Sequence, residues 1–420
     1  MGELFSEADE PCAFVPGMAH GTGDAVTKHG SCASAALDPQ SFDLLRSAVQ
    51  RFVQGRLRPL EDELEENDEV PSAVIGEMRE MGPFGLSIPE AYGGIGLSMA
   101  QECELVFELG HTAPAFRSVF GTNVGIGSQG ILIDGTEEQK AFYLPRIASG
   151  ELVMSFALTE PDAGSDAASL RTRAVLQGDG HYLITGTKRY ITNAPRAGMF
   201  TLMARTGGDG PSGISAFIVP AHTPGITLGR PDRKMGQRGT QTCDVNFDAV
   251  RVPAANIIGG RPGLGFKTAM KVLDRGRLHL SALSCGMASR LIQEAVRYAR
   301  ERRQFGRPIG DFQLVQAMLA DSQADLFAAH CMVREAARRY DAKPAGMADP
   351  ELTMLVSCTK MFSSEMVGRI ADRAVQIHGG AGYVREYKVE RFYRDVRLFR
   401  LYEGTTQIQQ LIIAKQMLRQ

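Results

Sequence analysis

The sequence predicts an α+β fold that is mainly helical, with an N-terminal helical domain, a middle β-barrel or sandwich domain and a C-terminal four-helix bundle. Apolar residues recur at helical spacing on both sides of a central region. That region instead carries short β-type runs separated by Gly, Pro, Asp and Asn turns. These observations predict a flexible extension at 1–37, helices at 38–154, a β domain at 155–265 and a bundle at 266–420.

The composition indicates an ordinary globular protein. The 420 residues are too many for one typical core, so two or three domains are expected. A net charge of -2 gives no reason to expect nucleic-acid or membrane partners. The seven cysteines are odd in number and form no C-x-x-C pair, which favours reduced thiols in the cytoplasm and predicts no metal site. Acidic residues near the start argue against a targeting peptide.

Each predicted element rests on a local pattern. In the first domain, Phe42 to Arg146 reads as successive helices, one of them opened by Pro71 and Ser72. Helical periodicity returns at Gly265 and continues to the C-terminus. The predicted strands between them are Val153–Leu158, Tyr182–Thr185, Arg189–Thr192, Met199–Ala204, Ile214–Val219 and Cys243–Phe247.

Glu403 is the candidate catalytic residue, in the stretch R-L-Y-E-G-T-T-Q-I-Q. Apolar and aromatic neighbours precede it and a glycine follows it. A carboxylate in such a dry place has a raised pKa and can serve as a base near neutral pH. Taken alone, the stretch favours an exposed glutamate at the start of a helix, because isolated glutamates are mostly exposed.

Further motifs carry polar, aromatic or glycine residues that suit ligand binding. F-A-L-T-E-P-D-A-G-S-D, from Phe156, offers hydroxyls and turn N–H groups. In G-T-K-R-Y-I-T-N, strand alternation predicts Tyr190 and Thr192 on one side, as a flavin ring would require. An ordinary turn and a half-buried strand are the alternative interpretations.

The C-terminal region adds three motifs. L-D-R-G-R-L-H-L, from Leu273, is predicted to open a helix, and A-R-E-R-R-Q-F-G-R-P to end one at Gly306 and Pro308. Arginines there suit phosphate, although a solvated charged helix end has the same composition. In Q-I-H-G-G-A-G-Y, from Gln376, the glycines allow a backbone to approach a ligand closely.

In this order and spacing, the motifs resemble those of the acyl-CoA dehydrogenase family, from about residue 40 to the C-terminus. Tyr190 stands where the family usually has tryptophan, which preserves an aromatic face. The resemblance implies an FAD-dependent homotetramer or dimer. In the family, the cofactor lies between barrel and bundle, and a neighbouring subunit contributes to its site.

Site residues follow from the resemblance, position by position. The ring of FAD and the acyl-CoA entrance would be lined by Phe156, Leu158, Thr159 and Ser165, with Tyr190, Ile191 and Thr192 flanking the ring. The remainder of FAD would contact Arg302, Phe305, Gln313, Gln376, Gly379 and Gly380, largely across a subunit interface, together with Thr405 and Gln407. The acyl-CoA would be bordered by Ser165, Asp274, Arg277, Tyr402, Gly404 and Arg117.

The implied reaction is α,β-dehydrogenation of an acyl-CoA thioester, as in fatty-acid β-oxidation. Glu403 would remove the α-proton, and an electron-transfer flavoprotein would reoxidise FAD. Relatives that place the base in L-D-R-G-R would carry it at the position that is Gly276 here, which leaves Glu403 without a competitor. An acyl-CoA oxidase using O₂, a DNA-binding relative and a non-catalytic scaffold are the alternatives. The small basic excess of the last domain does not favour DNA.

Arg117 suggests a more specific substrate. It aligns with an arginine that glutaryl-CoA dehydrogenases use for the distal carboxylate of the substrate. A buried charge facing the pocket needs a partner. The alternatives are a second carboxylate on the substrate, an acidic residue of the protein, or an arginine that reaches the surface. The acidic residue that accompanies this arginine in glutaryl enzymes is Gly110 here, which argues against decarboxylation.

Overall fold

The structure is a computed structural model that describes residues 36–344 and 349–419. The predicted extension at 1–37 therefore lies almost wholly outside the described residues. Its last residue, Leu37, is held by the side chain of Gln101, which accepts from the Leu37 N–H at 3.1 Å and donates to the Leu37 carbonyl at 2.7 Å. The described chain thus begins tied to the first helical domain.

The first domain is helical, as predicted. Two of its helices begin with capping boxes, in which Ser98 and Gln101, or Thr136 and Gln139, satisfy each other's backbone N–H groups. A π-helical segment, Thr122–Gly127, follows the fifth helix directly. The helices are α1 Pro39–Phe52, α2 Glu61–Asn67, α3 Ser72–Met81, α4 Met99–Leu109, α5 Pro114–Gly121, α6 Gln129–Asp134 and α7 Glu137–Ala148.

The middle domain is a curled sheet in the order β1-β4-β2-β3-β7-β6, with β5 paired to β4. The first strand is parallel to β4, and most other pairs are antiparallel. Two strands predicted separately, at 182–185 and 189–192, form one bulged strand. The strands are β1 Met154–Ala157, β2 Arg173–Leu176, β3 His181–Thr192, β4 Met199–Arg205, β5 Ile214–Pro220, β6 Ile226–Leu228 and β7 Thr242–Pro253.

The last domain consists of long helices, which confirms the predicted fold class. One predicted helix boundary is wrong: α8 ends at Glu301, before Gly306 and Pro308, because the chain turns there into a hairpin in which Phe305 and Gly306 both have positive φ. The elements are α8 Gly265–Glu301, β8 Arg303–Gln304, β9 Arg307–Pro308, α9 Gln313–Ala342, α10 Pro350–His378, α11 Lys388–Val396 and α12 Thr406–Met417.

Helix α8 connects the three regions. Near its start, Ala269 packs in a core shared with β-domain residues such as Met199. Further along, Leu283 packs in a second core with Val106 of α4 and Val367 of α10. The segment of α8 between these cores, which carries L-D-R-G-R, therefore lies at the junction of the domains. None of the helices in the described part of the chain is long and apolar enough to cross a membrane.

Candidate active site

Glu403 lies in a short loop before α12 and is not the first residue of a surface helix. It has a φ of 58° and the following Gly404 a φ of 88°, so two consecutive residues adopt the left-handed conformation. For a non-glycine residue this conformation is uncommon and costs free energy. Thr405 then caps α12 by accepting from the Ile408 N–H at 3.2 Å. The loop therefore places the carboxyl group before the helix and directs it inward.

The Glu403 carboxyl group is poorly hydrated. The residue is half-buried, and its Oε2 atom is inaccessible and has no hydrogen-bond partner among the described residues. Burial raises the pKa of Glu403, against the opposing effect of Arg277, Arg117 and Lys360. A carboxylate that is desolvated and unpartnered is suited to accept a proton.

Gly276 of α8 faces this carboxyl group. A Cβ atom at Gly276 would lie 2.8 Å from both carboxyl oxygens of Glu403, closer than real Cβ contacts allow. The sequence presents 276 and 403 as two alternative positions for a base. The structure brings them into contact, so a side chain at one position excludes the present conformation of the other.

Side chains from two other helices and from α12 hold the loop carbonyls. The Glu403 carbonyl accepts from Arg277 Nε at 3.2 Å and from Gln409 Nε2 at 3.0 Å. The Gly404 carbonyl accepts from Lys360 Nζ at 2.7 Å and from Gln409 Nε2 at 3.1 Å. Sequence reasoning missed Lys360 and Gln409. For Lys360, the signal available in the sequence was a lysine within the apolar face of α10.

The backbone N–H and the carbonyl of Glu403 differ in their hydrogen bonding. In the described part of the chain, the N–H of Glu403 has no hydrogen-bond acceptor, whereas its carbonyl has two donors. A backbone N–H next to a carboxylate can bind a carbonyl oxygen and stabilise the negative charge that develops there. The loop thus offers a desolvated carboxyl group and a hydrogen-bond donor side by side.

Arg117 is half-buried near Glu403, and its Nε is inaccessible. Its guanidinium lies over Gly121 and Gly125, where a Cβ would meet it at 2.6 Å and 3.4 Å. Its NH2 group donates to His279 Nδ1 at 3.1 Å, and His279 Nε2 lies 2.8 Å from Glu102 Oε2. This arrangement requires a neutral His279 with its proton on Nε2. Burial lowers the pKa of both Arg117 and His279.

The charge of Arg117 consequently has no directly paired carboxylate within the described residues, and its Nε has no partner there. Glu102 does not serve as this carboxylate, because it already contacts Arg275 in addition to His279. Gly110 could not hold an acidic side chain, since a Cβ there would lie 2.7 Å from the Cα of Gly286. The structure therefore leaves the Arg117 guanidinium available to a ligand.

Asp274 and Tyr402, two of the predicted substrate-binding residues, have partners within the chain. Asp274 accepts from Arg277 at 2.7 Å and from Thr353 at 3.2 Å, and burial raises its pKa. The Tyr402 ring stacks on Phe399 at a centroid distance of 5.8 Å, and burial raises the pKa of its hydroxyl. L-D-R-G-R lies within α8 and does not open it, because the helix already begins at Gly265.

The two strand motifs predicted to face a flavin are joined. The Arg189 N–H donates to the Thr159 carbonyl at 2.8 Å, and Lys188 Nζ donates to the Leu158 carbonyl at 3.0 Å. Lys188 also pairs with Glu160 at 2.8 Å. The ends of β1 and β3 therefore form one continuous surface beside α8.

Side-chain orientation on this surface differs from regular alternation. Tyr190 has a φ of 58° within a register shift, so the alternation that predicted Tyr190 and Thr192 on one side does not continue through the bulge. The Tyr190 ring is 59% exposed, whereas Ile191 is 2% exposed and packs in the barrel core. Phe156 and Leu158 pack partly against the first helical domain, and Ser165 is exposed.

Most of the remaining predicted cofactor residues lie far from Glu403 in the same chain. Arg302 follows Gly276 by 26 positions at the end of one continuous helix, so the two lie about 39 Å apart at about 1.5 Å per residue. Tyr298 stacks on His378 at 4.3 Å, which places the ends of α8 and α10 together. This distal group comprises Arg302, Phe305, Gln313, Gln376, Gly379 and Gly380, whereas Thr405 and Gln407 lie beside Glu403.

Fold and site together define a class of three-domain protein in which a desolvated carboxyl group lies at the junction of a helical bundle and a β domain. Family models for the acyl-CoA dehydrogenase N-terminal, middle and C-terminal domains match residues 40–151, 155–250 and 263–418. The chain belongs to the acyl-CoA dehydrogenase family, whose members act on CH–CH bonds and use FAD. The resemblance read from the motifs is thereby confirmed.

Relatives from several bacteria match most of this chain. A probable acyl-CoA dehydrogenase of Bacillus subtilis (YngJ) is 40% identical over 90% of this chain and 97% of its own. The caffeyl-CoA reductase-Etf complex subunit CarC of Acetobacterium woodii is 39% identical over 90% and 97%. An acyl-CoA dehydrogenase of Bacillus anthracis complexed with FAD superimposes with a TM-score of 0.84 at 33% identity, covering 91% of this chain and 68% of that one.

The residues on the β-domain surface fit FAD. Tyr190 offers an exposed aromatic face, as a planar ring requires. The hydrogen bond between Arg189 and Thr159 holds the two motifs together beside it. Phe305, which is 93% exposed at the distal end, is a second uncovered aromatic side chain.

Proposed function

We propose that this enzyme catalyses FAD-dependent α,β-dehydrogenation of an acyl-CoA thioester, with Glu403 as the base. The unpartnered, desolvated carboxyl group of Glu403 is the observation that carries the proposal. When bound, FAD supplies the acceptor for the β-hydrogen, which leaves with its electron pair as hydride. The product is the trans-2-enoyl-CoA.

The residues of the chain have distinct parts in this reaction. Glu403 accepts the α-proton on its carboxylate, and its N–H donates to the thioester oxygen, on which negative charge develops. A thioester α C–H is a weak acid, so the proton transfer needs this second interaction. Arg277, Lys360 and Gln409 keep the loop carbonyls turned away from the thioester.

Anaerobic mixing with a panel of acyl-CoAs tests the proposal. We expect at least one acyl-CoA to bleach the flavin absorbance of the wild type and to fail with Glu403→Gln. Bleaching that survives unchanged in the variant would refute the assignment of the base. Failure of every acyl-CoA with the FAD-loaded wild type would refute the reaction.

Electron transfer to an electron-transfer flavoprotein is the second part of the proposal. The similarity to a subunit of an Etf complex supports it. The alternative is oxidation by O₂. Turnover in air with stoichiometric hydrogen peroxide, in the absence of any electron acceptor, would favour the oxidase; turnover that requires the flavoprotein would favour the dehydrogenase.

A homo-oligomer, tetramer or dimer, is the third part. The separation of about 39 Å between Gly276 and Arg302 supports it, because FAD beside Glu403 cannot reach the distal group of its own chain. The distal residues would then contact the FAD of a neighbouring subunit. We expect Arg302→Ala to weaken FAD retention and to lower the mass measured by light scattering.

A second candidate function is oxidation of an acyl-CoA that carries a distal carboxylate. The half-buried Arg117 guanidinium, bonded to a neutral His279 and without a paired carboxylate in the described chain, favours it. Arg117→Met should then reduce kcat/KM for glutaryl-CoA far more than for butyryl-CoA. An unchanged preference between the two substrates would rule this candidate out.

A further inference from the structure

Lys360 of α10 is a buried ammonium whose partner is a neutral group. Its side chain is fully buried, and its Nζ donates to the Gly404 carbonyl at 2.7 Å. Within the described residues, no carboxylate lies within 4.0 Å of this nitrogen. Burying a charge without a direct counter-ion is costly, so its presence in a helical core needs an explanation.

A second buried lysine shows the usual arrangement. Lys188 in the β domain is also fully buried, but it forms an ion pair with Glu160 at 2.8 Å. Glu160 in turn accepts from the N–H groups of Arg171 and Thr172. Lys188 therefore has the compensating partners that Lys360 lacks, and its burial is explained by local structure.

The Gly404 carbonyl that Lys360 holds directly follows Glu403, a non-glycine residue in the left-handed conformation. Glu403 and Gly404 both have left-handed φ values, of 58° and 88°. Such a conformation persists only where surrounding contacts impose it. Lys360 reaches this backbone from α10, Arg277 from α8 and Gln409 from α12, so three separate elements restrain the two carbonyls.

We propose that Lys360 is a positioning residue, which fixes the left-handed Glu403–Gly404 backbone and places a positive charge beside the base. The inference rests on the proposed function of Glu403 and extends it to a residue outside the loop. Lys360 touches neither the thioester nor the reacting atoms in this proposal. It acts by orienting the Glu403 carboxyl group and N–H together.

The charges around the base are consistent with this inference. Arg117 from α5, Arg277 from α8 and Lys360 from α10 all lower the pKa of Glu403, against its burial. Removing one of these charges should raise that pKa and shift the acid limb of the rate to higher pH. Lys360 itself is faced by Glu403, Arg277 and Glu365, and burial lowers its pKa to about 8.

Lys360→Met tests the proposal, with Thr359→Val as the matched control. Thr359 is the buried neighbour on the same helix, and among the described residues its hydroxyl donates to the Leu355 carbonyl of its own helix. The readout is single-turnover flavin reduction in FAD-loaded enzyme across a pH series. We expect Lys360→Met to slow the step about 100-fold, as a misplaced catalytic group does, with the acid limb moved to higher pH. Thr359→Val should change neither.

A rate and a pH profile of Lys360→Met that match those of Thr359→Val would overturn the proposal. If Lys360→Met does not fold, Lys360→Gln replaces it, because glutamine keeps an N–H donor and lacks the charge. Its acid limb should still move upward, and an unmoved limb would also overturn the proposal. Loss of bleaching in the wild type, or bleaching that survives in Glu403→Gln, would instead refute the proposed function itself.

Discussion

Glu102 and Glu403 are two glutamates in the neighbourhood of Arg117, and their surroundings are opposite. Glu102 on α4 is fully buried, contacts Arg275 and accepts from His279 at 2.8 Å. These partners outweigh burial and lower its pKa. Glu403 has an inaccessible Oε2 without a partner in the described chain, and burial raises its pKa.

The comparison shows that burial alone does not identify a base. Buried carboxylates that are fully hydrogen-bonded belong to the scaffold, because their protons are lost at low pH and their lone pairs are occupied. A buried carboxylate without partners costs stability and is retained where it has a chemical use. Substitutions of Glu102 and Glu403 should therefore separate these two roles.

Activity should separate the two residues most clearly. Glu403→Gln removes the base while keeping its shape, so we expect flavin reduction by acyl-CoA to fall about 10³- to 10⁴-fold. Glu102→Gln leaves Glu403 in place and should slow the same step far less. Stopped-flow absorbance of FAD-loaded protein measures both. Equal losses in the two variants would remove the distinction.

The two substitutions should change the free energy of unfolding in opposite directions. Glu102→Gln breaks a buried ion pair and leaves the Arg275 charge uncompensated, which costs about 3–5 kcal/mol of unfolding free energy. Glu403→Gln removes a desolvated charge and should raise stability at neutral pH. Denaturant unfolding of both variants at matched FAD content checks this. A stabilised Glu102→Gln would contradict the assignment of Glu102 to the scaffold.

Gly276→Ala tests the space around Glu403. The new Cβ would lie 2.8 Å from both carboxyl oxygens, so the carboxyl group must move. We expect flavin reduction to slow about 100-fold while FAD remains bound. Gly55→Ala, where a Cβ meets nothing within 4 Å, is the control and should behave as the wild type. Full activity of Gly276→Ala would mean that the carboxyl position is not critical.

The reaction rate and the stability of the fold should depend differently on pH. Because the pKa of Glu403 is raised, the rate should increase with pH as this base loses its proton. Because the pKa of Glu102 is lowered, its stabilising contribution is present above the ordinary carboxyl range and is lost as pH falls through its folded pKa. Activity should therefore fall on acidification before the fold is lost, as activity and circular dichroism measured together would show.

The sequence was sufficient for the order of domains, whereas the role of Glu403 as the base stays a prediction. Helical and strand periodicities are local, and the Y-E-G motif is contiguous, so both can be read from neighbouring residues. Strand His181–Thr192 was predicted as two pieces because its bulge depends on pairing with β7, which no local pattern shows. The boundaries 38–154, 155–265 and 266–420 stay a prediction.

The supporting residues could not be predicted from the sequence. Lys360 lies 44 positions from the carbonyl it holds, and Glu102 lies 177 from His279. Such contacts depend on how helices pack, and nothing in the local sequence specifies the partner. The end of α8 was predicted too far along the chain for a related reason. Phe305 adopts a φ of 52° in a hairpin, and a phenylalanine in the sequence does not predict that conformation.

The most direct test of Glu403 as the base separates proton removal from hydride transfer. With the flavin already reduced by dithionite, a saturated acyl-CoA cannot be oxidised, but its α-hydrogen can still exchange with D₂O. The acyl-CoA that reduces the wild type fastest is incubated with each reduced enzyme and analysed by mass spectrometry. We predict exchange with the wild type and with Glu102→Gln, and none with Glu403→Gln. Exchange at the wild-type rate in Glu403→Gln would contradict the account.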